Sequence, residues 1–491
     1  MMHRKVFHRC VCHVLAALVL IVLPMASGAA ESTSATDPAP PVTGHDQVLT
    51  LQQCIDLALE YNPTLLIASE RLHIAGKDVS DAWGAFLPDL SLSRNYQKAD
   101  RTDFDVQTYQ PAIIDSIQIR DHFTDDLLTW YSQINVPAGV EDQTIHTKYK
   151  DWNGRATLNV FSGFSKFSSL SSAKHGRAAA EATLGYNREL VVQDVLTAYY
   201  NLLRYQKLED VALEARDRAA KELERTQTYF RLGSAAKSDV LQQKVQLENT
   251  KLDAVVAHNN VAKAFADLAF VMNRPLAEQF SVDSSVLDTD FQVEDVSTLY
   301  DEALANRLDL HSSEEQVLAR RKDITTASGN LWPQINLNGS YTRYNNESPY
   351  KFGAQESESV SYGYSISWNI FDRMRTINAR SRAKANARIA EYELEQARQN
   401  AQVEIRQLHN SLVEARERAN VSRETIEQSR EELRLARERF RVGAGTALDV
   451  IVAQVNLANA KAQEIQAKVD FLIARAQLNR AVGRPVWSGR S

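Results

Sequence analysis

Residues 360–371, VSYGYSISWNIF, alternate without a break: Val360, Tyr362, Tyr364, Ile366, Trp368 and Ile370 take one face, and Ser361, Gly363, Ser365, Ser367 and Asn369 the other. Period-two patterning over about 11 residues is the length of a tilted membrane-spanning strand. Its partner follows Pro333, with Ile335, Leu337, Gly339 and Tyr341 set against Asn336, Asn338, Ser340 and Thr342. A second pattern begins near Met374, where no Pro or Gly interrupts the chain before Phe440. Along it Ala401, Ile405, Leu408, Leu412, Ala415, Ala419, Ser422, Ile426, Ser429, Leu433, Ala436 and Phe440 step strictly by four and three. That heptad spacing predicts a coiled-coil helix of ~100 Å, and its small residues allow close approach. Beyond a turn at Gly443–Gly445 the seam is expected to resume at Leu448, Ile451, Val455, Ala458, Ala462, Ile465, Val469, Leu472 and Ala476.

The whole arrangement occurs twice. Pro88 and Tyr96 recur 245 residues on as Pro333 and Tyr341; Asn159, Phe230, Gly233, Asp239, Val240 and Pro275 recur 210 residues on as Asn369, Phe440, Gly443, Asp449, Val450 and Pro485. The first repeat takes 48–280: a helix, a strand pair within 88–162 and a long helical hairpin over 165–273. The second takes 281–487, with a strand pair within 333–371 and a hairpin over 374–482, before a short tail at 488–491. Its weaker first-copy strands carry Leu90, Leu92 and Tyr96, then Trp152, Ala156, Leu158 and Val160. The first-copy helical seam reads Leu184, Val191, Val195, Ala198, Leu202, Leu223 and Phe230, then Leu241, Val245, Leu252 and Val255. Shorter helices are expected around 49–82 and 295–328.

The 35-residue difference between the offsets places an insertion between Tyr96 and Asn159. Residues 97–151 hold ten acidic and five basic residues, including the DRTDFD run, and read as an acidic, solvated external loop that has room for its own short hairpin. The spacing of those acids fits no calcium loop.

Composition narrows the class. Arg4, Lys5 and Arg9 precede an apolar run from Val14 to Leu23 and then small residues to Ala30, which is the order of a secretory signal over 1–30. Cleavage removes three positive charges, taking the formal charge from −6 to −9 and leaving Cys54 as the only cysteine. Residues 31–47, rich in Ser, Thr, Pro and Ala, read as an extended tether. No basic patch points to nucleic acid. No catalytic motif, metal-ligand spacing or cofactor fingerprint is present, so no catalytic residue, metal or cofactor is assigned.

The aromatic face, the small uncharged opposite face and the secretory address together predict strands of a membrane barrel. Four strands per chain cannot close one, and open edges are not tolerated in lipid, so several copies must share it. The coiled coil is too long to lie in a bilayer and must project into water.

The paired tips, TYFRLGSAAKSDVLQQKV at 228–245 and ERFRVGAGTALDVIVAQV at 438–455, resemble the hairpin turns of the TolC-type outer membrane efflux protein family, and the resemblance covers essentially the whole mature chain. Gly233 and Gly443 suit a helix C-terminus, and Ser234 or Thr446 with Asp239 or Asp449 suit the start of the next helix. The resemblance implies an α+β membrane protein: a homotrimer with a shared twelve-stranded outer-membrane barrel, in contact with outer membrane lipid, continuing into a helical periplasmic tunnel. It also implies docking to a periplasmic adaptor and an inner-membrane transporter, with passive conduction of cargo. Membrane-facing aromatics would be Tyr362, Tyr364 and Trp368. Adaptor-contact tips would be Gly233, Ser234, Asp239, Gly443, Gly445 and Thr446. Asp449 matches an acidic aperture ring, and Asp239 the first-copy aspartate; Phe440, Gly445 and Val452 stand where the best-known member has Tyr, Arg and a further Asp. A secreted coiled-coil adhesin or stalk without conductance would use the heptads but leave the strand pairs and glycine tips unexplained.

Overall fold

The computed structural model describes residues 48–120, 127–275, 281–282, 294–347 and 355–487. The signal and tether segments and the C-terminal tail lie outside them. In chain order the elements are β1 (Val48–Leu49), α1 (Leu51–Tyr61), α2 (Pro63–Gly84), β2 (Asp89–Arg120), β3 (Leu127–Ser162), α3 (Ser165–Arg231), α4 (Lys237–Val271), β4 (Ser281–Val282), α5 (Val296–Asn306), α6 (Leu308–Ala327), β5 (Gln334–Glu347), β6 (Gln355–Ser367), α7 (Arg375–Arg441) and α8 (Ala447–Val482). The helices α3 and α7 are each 67 residues long and start 210 positions apart, so the duplication holds at the level of whole elements.

Both shorter helical segments are broken, at Asn62 and at Arg307, positions 245 apart. Pro63 forces the first break, because the residue before proline is driven out of helical ψ; Asn62 sits at ψ 124°. Its side chain accepts from the Thr64 amide at 2.9 Å and donates to the Val271 carbonyl at 2.9 Å.

The chain divides into two compact units. One comprises residues 68–186 and 306–402 and contains the antiparallel sheet, in the order β2-β3-β5-β6. Leu337 lies opposite both Leu158 and Tyr364, and Gly339 opposite both Ala156 and Tyr362. That register gathers Leu90, Leu92, Leu337, Tyr341, Val360, Tyr362 and Tyr364 as an exposed apolar surface. On the reverse face Ser340 and Ser361 share a hydrogen bond of 2.8 Å, and the Asn159 amide donates to Asn336 at 2.8 Å. Strand β6 ends at Ser367, so Trp368 lies just past it, where its indole N–H donates to the Leu331 carbonyl at 3.1 Å.

The insertion adds its own hairpin, far longer than a short one. Strands β2 and β3, of 32 and 36 residues, stay paired from Asp89↔Thr157 to Arg120↔Leu127 with three register shifts. Pairing of β3 with β5 stops at Lys148↔Glu347, so the outer part is a two-stranded ribbon. Scattered Asp residues gave it a loop-like composition, but the runs TYQPAIIDSIQI and LLTWYSQINV carry the β-branched and aromatic residues that favour strands.

In this unit α3 meets α6 through short polar side chains. Ser168 donates to the Lys322 carbonyl at 2.7 Å, Ser172 to Asp323 at 2.8 Å, and Thr183 pairs with Ser312 at 2.9 Å. The turn from β3 into α3 requires glycine: Gly163 has φ +63°, and a Cβ there would lie 2.2 Å from the Gly329 carbonyl oxygen.

The other unit comprises, among the described residues, 48–67, 187–275, 281–282, 294–305 and 403–487. Tyr199, Leu196, Leu203, Leu268 and Met272 form its main core, joined by Leu51, Cys54, Ile55 and Ala58 from α1. Burial pushes the Cys54 thiol up to about 12, so it behaves as a small apolar side chain rather than a nucleophile. On α7 the seam positions Ala401, at the end of the first unit's stretch, and Ile405, Leu412, Ala415, Ala419, Ser422, Ile426, Ser429 and Leu433 in this one are buried, with Leu408, Ala436 and Phe440 half-buried.

Val469, Leu472 and Ala476 of the α8 seam are buried as the sequence reading has them, but toward the tip the α8 and α4 seams are registered differently. Near the tip α8 buries Ala447, Val450, Ala453, Leu457 and Ala460, whereas Leu448 is 55% and Val455 40% exposed. In the half of α4 nearer the tip the buried positions are Gln243, Thr250 and Ala254, and Leu241, Val245, Leu252 and Val255 face outward. Val450, Ala453, Leu457 and Ala460 pack with Ile426 and Leu433 of α7 in one cluster, so small and large side chains share the inner face.

Candidate functional site: the paired hairpin tips

Each tip is a helix stop followed by a helix start. At both stops a glycine with positive φ (Gly233, +76°; Gly443, +73°) lets the chain reverse. The Gly233 amide donates to the Phe230 carbonyl at 3.0 Å and the Ser234 amide to the Tyr229 carbonyl at 2.9 Å. Gly443 and Ala444 make the equivalent bonds to Phe440 and Arg439 at 3.1 and 2.9 Å. This pairing closes a helix that ends in a left-handed residue.

Ser234 belongs to the stop, not to the following start. Its hydroxyl donates to the Tyr229 carbonyl at 3.0 Å, and the N-cap of α4 is Ala236. In the duplication Ser234 aligns with Ala444, and Ala236 with Thr446. Thr446 is a full N-cap: it accepts from the Asp449 amide at 3.2 Å, while its own amide donates to Asp449 Oδ2 at 2.8 Å. At the first tip the Ala236 amide donates to Asp239 at 2.9 Å, but alanine has no oxygen to return the bond. These bonds to Thr446, aided by Arg439, hold the Asp449 carboxyl below its ordinary 3.8. Gly445 has a different reason to be glycine: a Cβ there would sit 3.0 Å from the Arg439 Cβ.

Between the last turns of α7 and the first of α8 runs a groove of about 850 Å³, lined by Glu427, Glu431, Glu432, Leu435, Leu448, Asp449 and Val452. Acids and exposed apolar side chains therefore share one surface at the tip. Asp449 and Gly445 lie in this groove. Leu435 and Leu448 escaped the sequence reading as surface residues, since the one is off the seam and the other was placed on it. Phe440, where the family's best-known member has a tyrosine, packs edge-on against Tyr229 of the other hairpin, ring centroids 6.1 Å apart.

Among the described residues no helix is long and apolar enough to cross a membrane. The combination of a four-stranded sheet with an exposed aromatic face and two duplicated long helical hairpins defines an outer-membrane channel with a periplasmic helical part. The chain belongs to the outer membrane efflux protein family, whose model matches residues 54–274 and 299–484. It is 21% identical to outer membrane protein TolC of Vibrio cholerae serotype O1, over 65% of this chain and 73% of that protein. It is 24% identical to the pyoverdine export outer membrane protein OpmQ of Pseudomonas aeruginosa, over 68% of this chain and 67% of that one. The solved structure of the outer-membrane channel OprN superimposes with a TM-score of 0.69 at 20% identity, covering 88% of this chain and 89% of that one. The family is one of transport ducts rather than enzymes. The protein is an outer-membrane exit duct of the efflux and type I secretion class.

Proposed function

We propose that three copies of this chain share one twelve-stranded barrel, and that cargo leaves passively through the water-filled tunnel below it. The observation that carries this reading is the open four-stranded sheet. Strands β2 and β6 are the outer strands of a four-stranded sheet. In hydrocarbon an outer strand is stable only where its outer edge pairs with another strand, and a second copy's edge supplies one. In that assembly Tyr362, Tyr364 and Trp368 face lipid, and the Ser- and Asn-rich face lines the lumen.

At the other end the tips meet a periplasmic adaptor that links the duct to an inner-membrane transporter. The acidic and apolar groove around Leu435, Leu448 and Asp449 supports this, because it offers a basic, amphipathic helix both cover and charge. Gly233, Ser234, Asp239, Gly443, Gly445 and Thr446 shape the surface that the adaptor meets. Three copies of Asp449 form an acidic ring that favours cations at the mouth. Adaptor binding splays the tip helices and opens the duct.

The test is complementation. In cells lacking this chain, export is restored by the wild type, while Leu448→Glu assembles and reaches the outer membrane but exports poorly. Wild-type export by Leu448→Glu would remove the groove from the docking surface.

A further inference from the structure

The apolar face of the sheet is bounded at both ends. Next to the helices it is flanked by the exposed Trp332 and Trp368, and at the far end by Trp152 and Arg343, which are register partners. From Trp332 to Arg343 the chain rises ~37 Å, or ~26 Å of membrane at a tilt of ~45°, close to the ~25 Å apolar band of such barrels. The helical part is periplasmic, so the Trp152 end lies at the outer leaflet. There Arg94, opposite Trp152 in the β2–β3 register, holds its guanidinium 5.1 Å from the centre of the Trp152 ring. Lys150 follows two positions outward on the same face, opposite Tyr96. Arg343 is taken up by Glu356 and Glu358, and Lys98 lies 3.6 Å from Asp100. Arg94, by contrast, meets no carboxylate among the described residues.

Four positions back along β3, Ala156 stands opposite Gly339, and the face sinks into a groove of about 420 Å³ between Leu158, Leu337, Tyr362 and Tyr364. The backbone does not demand glycine there, since a Cβ on Gly339 would meet no atom closer than 4.0 Å. We propose that Arg94, Trp152 and this groove bind a phosphorylated acyl lipid of the outer leaflet. Resting on the reading that this face meets lipid, the assignment names the lipid and its place. The Arg94 guanidinium, with Lys150 beside it, takes the phosphate, which a planar fork of donors matches better than a point charge does. Trp152 sits at headgroup level, where an indole keeps its ring in the apolar layer and its N–H in water. The acyl chain runs ~13 Å down β3 from Trp152 to the groove at Ala156, where it covers apolar surface that a flat sheet would leave to loosely packed lipid. An uncharged lipid would fill the groove and leave Arg94 unused; a free phosphate would do the reverse.

The experiment reads lipid retention by native mass spectrometry. The purified protein is reconstituted in phosphatidylcholine nanodiscs carrying either lipid A or dephosphorylated lipid A, then released into detergent, and bound lipid is counted. The wild type should keep lipid A and hold the dephosphorylated form about tenfold more weakly, the worth of one charge-assisted hydrogen bond. Arg94→Gln should remove that preference, and Gly339→Leu, which fills the groove, should weaken retention of both forms. Arg155→Gln, on the opposite face of β3 beside Ser340, should change neither. Equal retention of the two forms by the wild type would overturn the site, as would lipid A held by Arg94→Gln as firmly as by the wild type. Should Gly339→Leu fail to assemble, Ala156→Val takes its place with the same expected loss. Either overturning result from protein that conducts in planar bilayers removes the lipid site and keeps the duct. Protein that neither conducts nor enters nanodiscs would overturn the duct reading itself.

Discussion

Thr446 and Asp449 cap each other: the Asp449 amide donates to the Thr446 hydroxyl, and the Thr446 amide and hydroxyl donate to the Asp449 carboxylate at 2.8 and 2.9 Å. The first tip has only half of this arrangement, since Ala236 stands where Thr446 does. Two outcomes follow from the asymmetry. Thr446→Ala should loosen the first turn of α8 by about 1 kcal/mol, and Ala236→Thr should tighten the first turn of α4 by a similar amount. Amide hydrogen exchange over 237–241 and 447–451 reads both. Unchanged protection in Ala236→Thr would show that the first tip does not use this geometry.

The same bonds set a pH dependence. Asp449 is held below 3.8 in the folded chain, chiefly by the Thr446 amide and hydroxyl. A carboxyl depressed on folding stabilises the fold above its unfolded pKa, and the benefit is lost as pH falls through the lower folded value. Cation selectivity of the channel should therefore persist to below pH 3.8. A midpoint well above that would mean that repulsion among three neighbouring aspartates outweighs the cap.

Arg484 is held between two acids. Its guanidinium lies 2.6 Å from Glu302 and 2.9 Å from Glu294, which raises its own pKa and lowers both carboxyls below 4.5. The fork ties the second residue past α8 to α5 and its approach. Arg484→Ala should cost about 1 kcal/mol, a modest figure because the group is a third exposed and screened. That contribution is present at neutral pH and fades as the carboxyls protonate below about 4.5, so wild type and variant should converge in urea melts at acid pH. A constant difference across pH would place the effect in packing.

How far the sequence carried the fold depends on side-chain size. The α7 seam was legible because Ile405, Leu412, Ile426 and Leu433 stand out against Arg, Glu and Gln at every other step. On α8 the inner positions are Ala447, Ala453 and Ala460, which give no contrast, while the larger Leu448 and Val455 drew the seam to the surface. The tip glycines could be read from the duplication, but Ser234 could not, because a hydroxyl serves a helix stop and a helix start equally well. The outer hairpin of β2 and β3 was hidden by its aspartates.

The corrected seam has its own test. Leu433→Ala, at a buried position, should cost about 2–5 kcal/mol, whereas Leu448→Ala should leave the stability of the chain almost unchanged. Ala453→Leu should be worse than Leu448→Ala by about 1–3 kcal/mol through overpacking. Equal costs at Leu433 and Leu448 would restore the register read from the sequence.

The central claim is that this chain builds a conducting duct, and planar-bilayer recording of purified wild type beside Asp449→Ala tests it most directly. Discrete, cation-selective steps whose selectivity falls in Asp449→Ala are the predicted result. An absence of steps from the wild type, from Asp449→Ala and from Ala447→Lys, which forces a charge into a fully buried position at the start of α8, would contradict it.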